Sequence, residues 1–149
     1  MTETDREAIA ALVARQFRSL SWRPGEPGDW AAFATDFHPE AALYASARPA
    51  RPQSPAQFAE RMLVLSQTSL QSFEETALGI EIRVFGNVAV AVAGCEAVEN
   101  ASETGRNVEM MLLVKDAGAW AIVAQAWDRV TPERPLPEEL GGNRPSGPS

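Results

Sequence analysis

A single cysteine, a single histidine and a deficit of basic residues set the first limits on this chain of 149 residues. Cys95 has no partner for an internal disulfide, and with His38 it is too little for a multi-histidine or multi-cysteine zinc site. No metal and no cofactor are therefore expected. The sequence has no Gly-x-x-x-x-Gly-Lys-Ser/Thr or Gly-x-Gly-x-x-Gly run to cradle phosphates, which argues against nucleotide-cofactor chemistry of those kinds. A net charge of −7 argues against nucleic acid and anionic membranes as partners, since both need a basic surface. No apolar run approaches the roughly 20 residues of a bilayer-spanning helix. With a lone thiol and no basic-then-apolar leader, the expected location is the cytoplasm. What remains for chemistry is carboxylates, Tyr44, His38 and the polar edges of tryptophan and glutamine.

What the chain does have is order in its periodicities. Thr4-Asp5-Arg6-Glu7 reads as a capping box, and Ile9, Leu12, Val13, Phe17 and Leu20 then recur on one helical face. Asp29 is an N-cap for a shorter helix with Trp30, Phe33 and Phe37 on one side, stopped at His38-Pro39. Ala42–Ser46 reads as a short strand and Arg48–Pro52 as an exposed loop. Ser54-Pro55-Ala56-Gln57 combines a serine cap, proline at the first helical position and a glutamine that completes the box, so a third helix is expected to about Thr68.

Beyond Leu70 the period falls to 2. Leu78, Ile80, Ile82 and Val84 alternate with wetter residues, Gly86-Asn87 suits a two-residue hairpin, and Val88–Val98 alternates valine with alanine. After a polar loop at Asn100–Asn107, Val108–Lys115 and Ala119–Asp128 are strands joined at Asp116-Ala117-Gly118. The expected architecture is α+β, a strongly curved, mostly antiparallel sheet wrapped around N-terminal helices. Residues 1–130 form one domain in this reading. The tail 131–149, with five prolines and three glycines, is expected to be disordered or loosely attached.

Three stretches carry a family likeness: Gly28-Asp29-Trp30 to Phe37-His38-Pro39-Glu40-Ala41, Val84-Phe85-Gly86-Asn87-Val88-Ala89-Val90, and Gly118-Ala119-Trp120-Ala121-Ile122-Val123. With the order of elements, they make the chain resemble the nuclear transport factor 2-like superfamily, and within it the SnoaL-like bacterial proteins. The resemblance implies a cone with an internal pocket and a homodimer through the outer sheet face. It implies no single activity, because the superfamily holds isomerases, dehydratases, cyclases and non-catalytic modules. The isomerases' aspartate base would fall at about Ala45, where it is missing. Paired dehydratase histidines have no counterpart. The late-strand aspartate of cyclase-like members has Asp128 as its match.

Among individual residues, Asp128, Glu109 and Tyr44 are the catalytic candidates, as acid, base or hydroxyl donor at the cone's opening. Glu96, Trp120, Trp127, Phe17 and Met110 are the expected ligand contacts. Each has a plainer reading: Glu96 and Glu109 pairing with Arg83 or Arg106, Asp128 pairing with Arg129, Tyr44 as a core residue, and Met110–Leu113 facing core on one side and a second subunit on the other. Strict strand parity puts Trp120, Ile122, Ala124, Ala126 and Asp128 on one face and Gln125 and Trp127 on the other, so Asp128 and Trp127 share the cone only if a bulge intervenes. The functional expectation is a small-molecule pocket protein, an isomerase-, cyclase- or hydrolase-type enzyme using carboxylates on a small apolar substrate. The alternative is a non-catalytic ligand-binding or assembly module.

Overall fold

A computed structural model describes residues 4–145. Thr4 opens α1 (Asp5–Leu20): its hydroxyl accepts the Glu7 N–H at 3.1 Å and donates to the Glu7 carboxylate at 2.9 Å. The buried stripe is the expected one, with Ile9, Leu12, Val13, Phe17 and Leu20 all in the core. Asp29 caps α2 (Trp30–Thr35), which is shorter than its apolar spacing suggests, because Phe37 already belongs to β1 (Phe37–Tyr44). Proline at position 39 fits there since pairing between β1 and its neighbour is interrupted between Phe37 and Ala42. Pro52–Gln53 forms a short β2 where a plain loop was expected. Ser54 then caps α3 (Pro55–Ser66) with both bonds of the capping box in place.

The remaining strands are longer than their apolar cores: β3 (Phe73–Phe85), β4 (Val88–Glu99), β5 (Glu103–Asp116) and β6 (Ala119–Arg129). The expected loop at Asn100–Asn107 contracts to a tight turn, with Asn100 and Ala101 at positive φ. One six-stranded sheet results, in the order β2-β1-β6-β5-β4-β3, antiparallel except where β1 runs parallel to β6. Its inner face packs on the helices. Phe17, Phe33, Leu43, Leu113 and Ile122 are almost completely buried there, each worth about 1.5–3 kcal/mol of transfer free energy. The inward row of β4, Ala89, Ala91, Ala93 and Cys95, is made of small residues that let the sheet curve closely over the core.

The tail corrects an expectation. Residues 131–145 are packed: Leu136 and Leu140 are buried against the outer face of β3 and β4, with a 3₁₀ turn at Glu138–Leu140. Gly79 and Gly94 form the bed. A Cβ at Gly94 would stand 2.1 Å from the Leu140 carbonyl oxygen, so only glycine admits the strap. Arg144 donates to the Leu78 carbonyl at 2.7 Å, and Arg106 donates to the Arg144 carbonyl at 2.7 Å. The last part of the expected loose tail, residues 146–149, lies outside the described residues. No helix is long and apolar enough to cross a membrane among the described residues.

Candidate active site

Two β-bulges decide which side chains enter the cone. In β3, Ala77 pairs with Cys95 and Gly79 with Gly94, so Leu78 is an extra residue. Before it the odd positions Phe73 and Glu75 face inward; after it the even positions Ile80, Ile82 and Val84 do. In β6, Leu112 pairs with Ala124 and Leu113 with Ile122, so Val123 is extra. Ile122 therefore points inward, and after the bulge Gln125 and Trp127 follow it. β5 is regular against β4, and its odd positions Glu109, Met111 and Leu113 are the buried ones.

These switches assemble a polar cluster inside an apolar shell. Glu75, Glu109 and Gln125 are each at most 6% exposed, and Gln16 of α1 is buried beside them. Gln16 and Gln125 form a reciprocal amide pair: Gln16 Nε2 donates to Gln125 Oε1 at 2.9 Å and Gln125 Nε2 donates back at 3.1 Å. Gln125 Nε2 also donates to Glu109 Oε1. The Cys95 thiol lies 3.5 Å from Glu75 Oε2 and 3.7 Å from Glu109 Oε2.

Two carboxyl groups this close in a dry site cannot both ionise without severe cost. Burial pushes Glu75 well above the usual carboxylate range, and the neighbouring Glu109 charge pushes it further in the same direction. Burial also raises Glu109, against opposing hydrogen bonds from Gln125, Glu75 and Cys95. The pair titrates as a unit, with Glu75 the more strongly raised of the two. Burial and the two carboxyl groups push the Cys95 thiol upward as well, so it remains protonated. Glu75, Cys95 and Glu109 bring three ligand-type atoms within 4.8 Å of one another, the one such group among the described residues. A cation there would have to displace protons held by the same burial.

A cavity of about 320 Å³ opens from this cluster toward solvent. Its deep end is Gln16, Glu75, Glu109 and Gln125; its walls are Leu20, Phe33, Leu43, Phe58, Met62 and Trp127; and Arg61, Glu99 and Arg129 stand on its lining with exposed or half-exposed side chains. Phe58 and Trp127 meet edge to face, with ring centroids 5.5 Å apart. A larger groove of about 680 Å³ runs between α1 and β3, and its Arg23 and Glu74 are already paired with each other. Of the buried polar cluster it reaches Glu75 but not Glu109, Gln16 or Gln125.

Of the expected catalytic residues, only Glu109 lies in the cluster. Asp128 lies on the outer face, 3.5 Å from Arg134, because the Val123 bulge comes before both Trp127 and Asp128 and sends them to opposite sides. Tyr44 is 37% exposed at the end of β1 and lines no part of the cavity. Among the expected ligand contacts, Trp127 is in the wall. Glu96 sits on the opposite face of β4 from Cys95, beneath the C-terminal strap, and pairs with Arg106 at 3.1 Å. Trp120 donates its indole N–H to Asp5 at 3.1 Å, away from the cavity, and Phe17 is core. Met110 is 58% exposed on the outer face. The residues missed were Glu75, Gln125 and Gln16. Gln16 had a readable signal, a polar residue beside Phe17 on the buried stripe of α1.

No protein-family model matches the chain, and no curated protein is similar to it in sequence. Solved structures do resemble it. A cystatin-like protein of unknown function from Nostoc punctiforme superposes with a TM-score of 0.69 at 16% identity, covering 92% of this chain and 98% of that one. An NTF2-like protein of unknown function from Pseudomonas putida gives 0.65 at 10% identity, covering 80% and 82%. The hexachlorocyclohexane dehydrochlorinase LinA-type3 from Novosphingobium barchaimii gives 0.69 at 11% identity, covering 83% and 85%. At these identities the likeness concerns the fold, which is the cystatin-like, nuclear transport factor 2-like cone.

Proposed function

We propose that this nuclear transport factor 2-like cone is an enzyme that moves protons on a small, largely apolar substrate, using Glu109 as base and Glu75 as its proton-bearing partner. The observation that supports the reading is the buried Glu75–Glu109 pair at the deep end of the cavity. A carboxylate that shares one proton with a second carboxyl group offers both halves of a concerted transfer. Glu109 takes a proton from a carbon or hydroxyl of the substrate, and Glu75 gives one to an oxygen or leaving group on the same molecule. Gln125 fixes the Glu109 carboxylate, and Gln16 fixes Gln125. The apolar walls exclude water and hold the pair above the usual carboxylate range.

Isomerisation and elimination next to a carbonyl both need this pairing of acid and base. The structural similarity to a protein named as a dehydrochlorinase, which carries out an elimination, supports that class. The test is incubation in deuterated water with a panel of small ketones and β-hydroxy carbonyl compounds, read by nuclear magnetic resonance for deuterium uptake or loss of water. Turnover that falls at least about a hundredfold in Glu109→Gln, the scale of general-base catalysis, is the expected result. Turnover unchanged by Glu109→Gln would refute it, and ligand binding with no turnover across the panel would replace it with a binding module of the same fold.

A further inference from the structure

The cavity has a direction. After the Val123 bulge the inward column of β6 runs Gln125, Trp127, Arg129, so an amide lies deep, an indole midway and a guanidinium outermost. α3 repeats the trend from the other side, with Phe58 buried against the wall and Arg61 one turn later exposed on the same cavity. Among the described residues, neither the Arg61 nor the Arg129 guanidinium has a hydrogen bond or ion pair, whereas Arg15, Arg106 and Arg134 are each paired with a carboxylate. Of the three glutamates on the lining Glu75 and Glu109 are buried in the floor, so among its exposed or half-exposed residues two positive side chains stand against the one negative charge of Glu99.

We propose that the ligand is a small apolar acid whose carboxylate is held by Arg61 and Arg129 at the mouth while its reacting end meets the Glu75–Glu109 pair; this rests on the acid/base reading of the same cavity. Only one orientation is open to such a molecule. Its carboxylate cannot sit at the acidic floor, where a further negative charge would be desolvated beside the Glu75–Glu109 pair, but at the mouth it meets planar guanidinium forks that match carboxylate geometry. A volume of about 320 Å³ lies at the small end of ligand pockets, which fits a single ring with a short side chain.

The experiment is calorimetric titration of the full chain at pH 7.5 and low salt with 3-phenylpropanoate and its neutral amide, 3-phenylpropanamide. The acid is expected to bind at least about tenfold more tightly than the amide, the effect of one charge-assisted contact, with the preference shrinking as salt is added. Arg61→Gln/Arg129→Gln should abolish the preference, bringing the affinity for the acid down to that for the amide. Both side chains are exposed, and an unaltered melting temperature verifies that this variant folds. Equal binding of acid and amide, a preference that survives the double variant, or no binding of the acid at millimolar concentration would each overturn the proposal. The acid/base reading is checked separately by the infrared band of a protonated carboxyl at pH 7.5 that Glu75→Gln removes. If the band is present while acid and amide bind equally, the charge proposal falls alone; if it is absent, the acid/base reading falls whatever the titration shows.

Discussion

Replacing Glu75 by glutamine keeps the size of the side chain and removes its titration, which isolates the cost of burying that carboxyl group. Glu75 is held above the usual carboxylate range by burial first and by the Glu109 charge second. From about pH 4.5 upward the folded protein therefore binds more protons at this site than the unfolded chain does, so stability falls as pH rises. The contribution is fully present below the unfolded value and is lost as pH passes the folded one. The slope for one proton is about 1.4 kcal/mol per pH unit, which in a domain of this size is about 3–6 °C of melting temperature per unit. Melts of wild type and Glu75→Gln from pH 4 to pH 9 supply the assay, because their difference cancels the titrating groups outside the Glu75–Glu109 pair. Near pH 4 the two proteins should agree within about 1 kcal/mol, the scale of the one changed hydrogen bond. Above that, the variant should gain steadily on the wild type. Glu109→Gln should bring the end of Glu75's decline to lower pH, since the neighbouring charge is gone while burial remains. A difference curve that stays flat, or that moves against the variant as pH rises, would refute the shared-proton description of the pair.

Other substitutions probe the framework. Gln125→Leu leaves Glu109 without its amide donor and Gln16 without its partner, so it should cost about 1–3 kcal/mol per group left unpaired and, by raising the base Glu109, move the acidic limb of any pH–rate profile upward, as read by denaturation and kinetics. Gly94→Ala drives a methyl group into the Leu140 carbonyl; a loss of about 1–3 kcal/mol and new proteolytic cutting within residues 131–145 are expected, and an unchanged digest would refute the strap's close fit. The homodimer is proposed to form through the outward strip of Val90, Met110 and Leu112, which the strap leaves uncovered. Sedimentation at micromolar concentration should give twice the 16.1 kDa chain mass, and Met110→Glu should halve it. A wild type already at the monomer mass would refute that interface.

The helices, the hairpin at Gly86-Asn87 and the curved sheet were readable because each depends on local spacing and capping, which a sequence displays directly. Glu109 was readable for the same reason: β5 is regular against β4, so an acid in phase with Met111 and Leu113 must share their buried face. Asp128 and Glu75 were misplaced or missed because a bulge belongs to the pairing of two strands and not to the residues of one. Neither Leu78 nor Val123 is a glycine or proline that would mark the irregularity, yet each reverses the parity of everything beyond it. The tail reads as loose because proline and glycine break helices and strands. In this chain Gly79 and Gly94 make a flat bed in the sheet, Gly141 lets the strap approach it at Leu78 and Gly142 lets the strap close on its own Leu136 and Pro137, so the glycines permit contact where composition alone suggests its absence. The same argument accounts for Glu96. It lies in phase with Gly94 on the face that the strap covers, so it is buried like Glu109 but on the opposite side of the sheet, and Arg106 neutralises it there. Burial alone therefore does not mark a catalytic acid in this fold. What separates Glu109 from Glu96 is the neighbour: a second carboxyl group that competes for one proton in the first case, a fixed positive charge in the second.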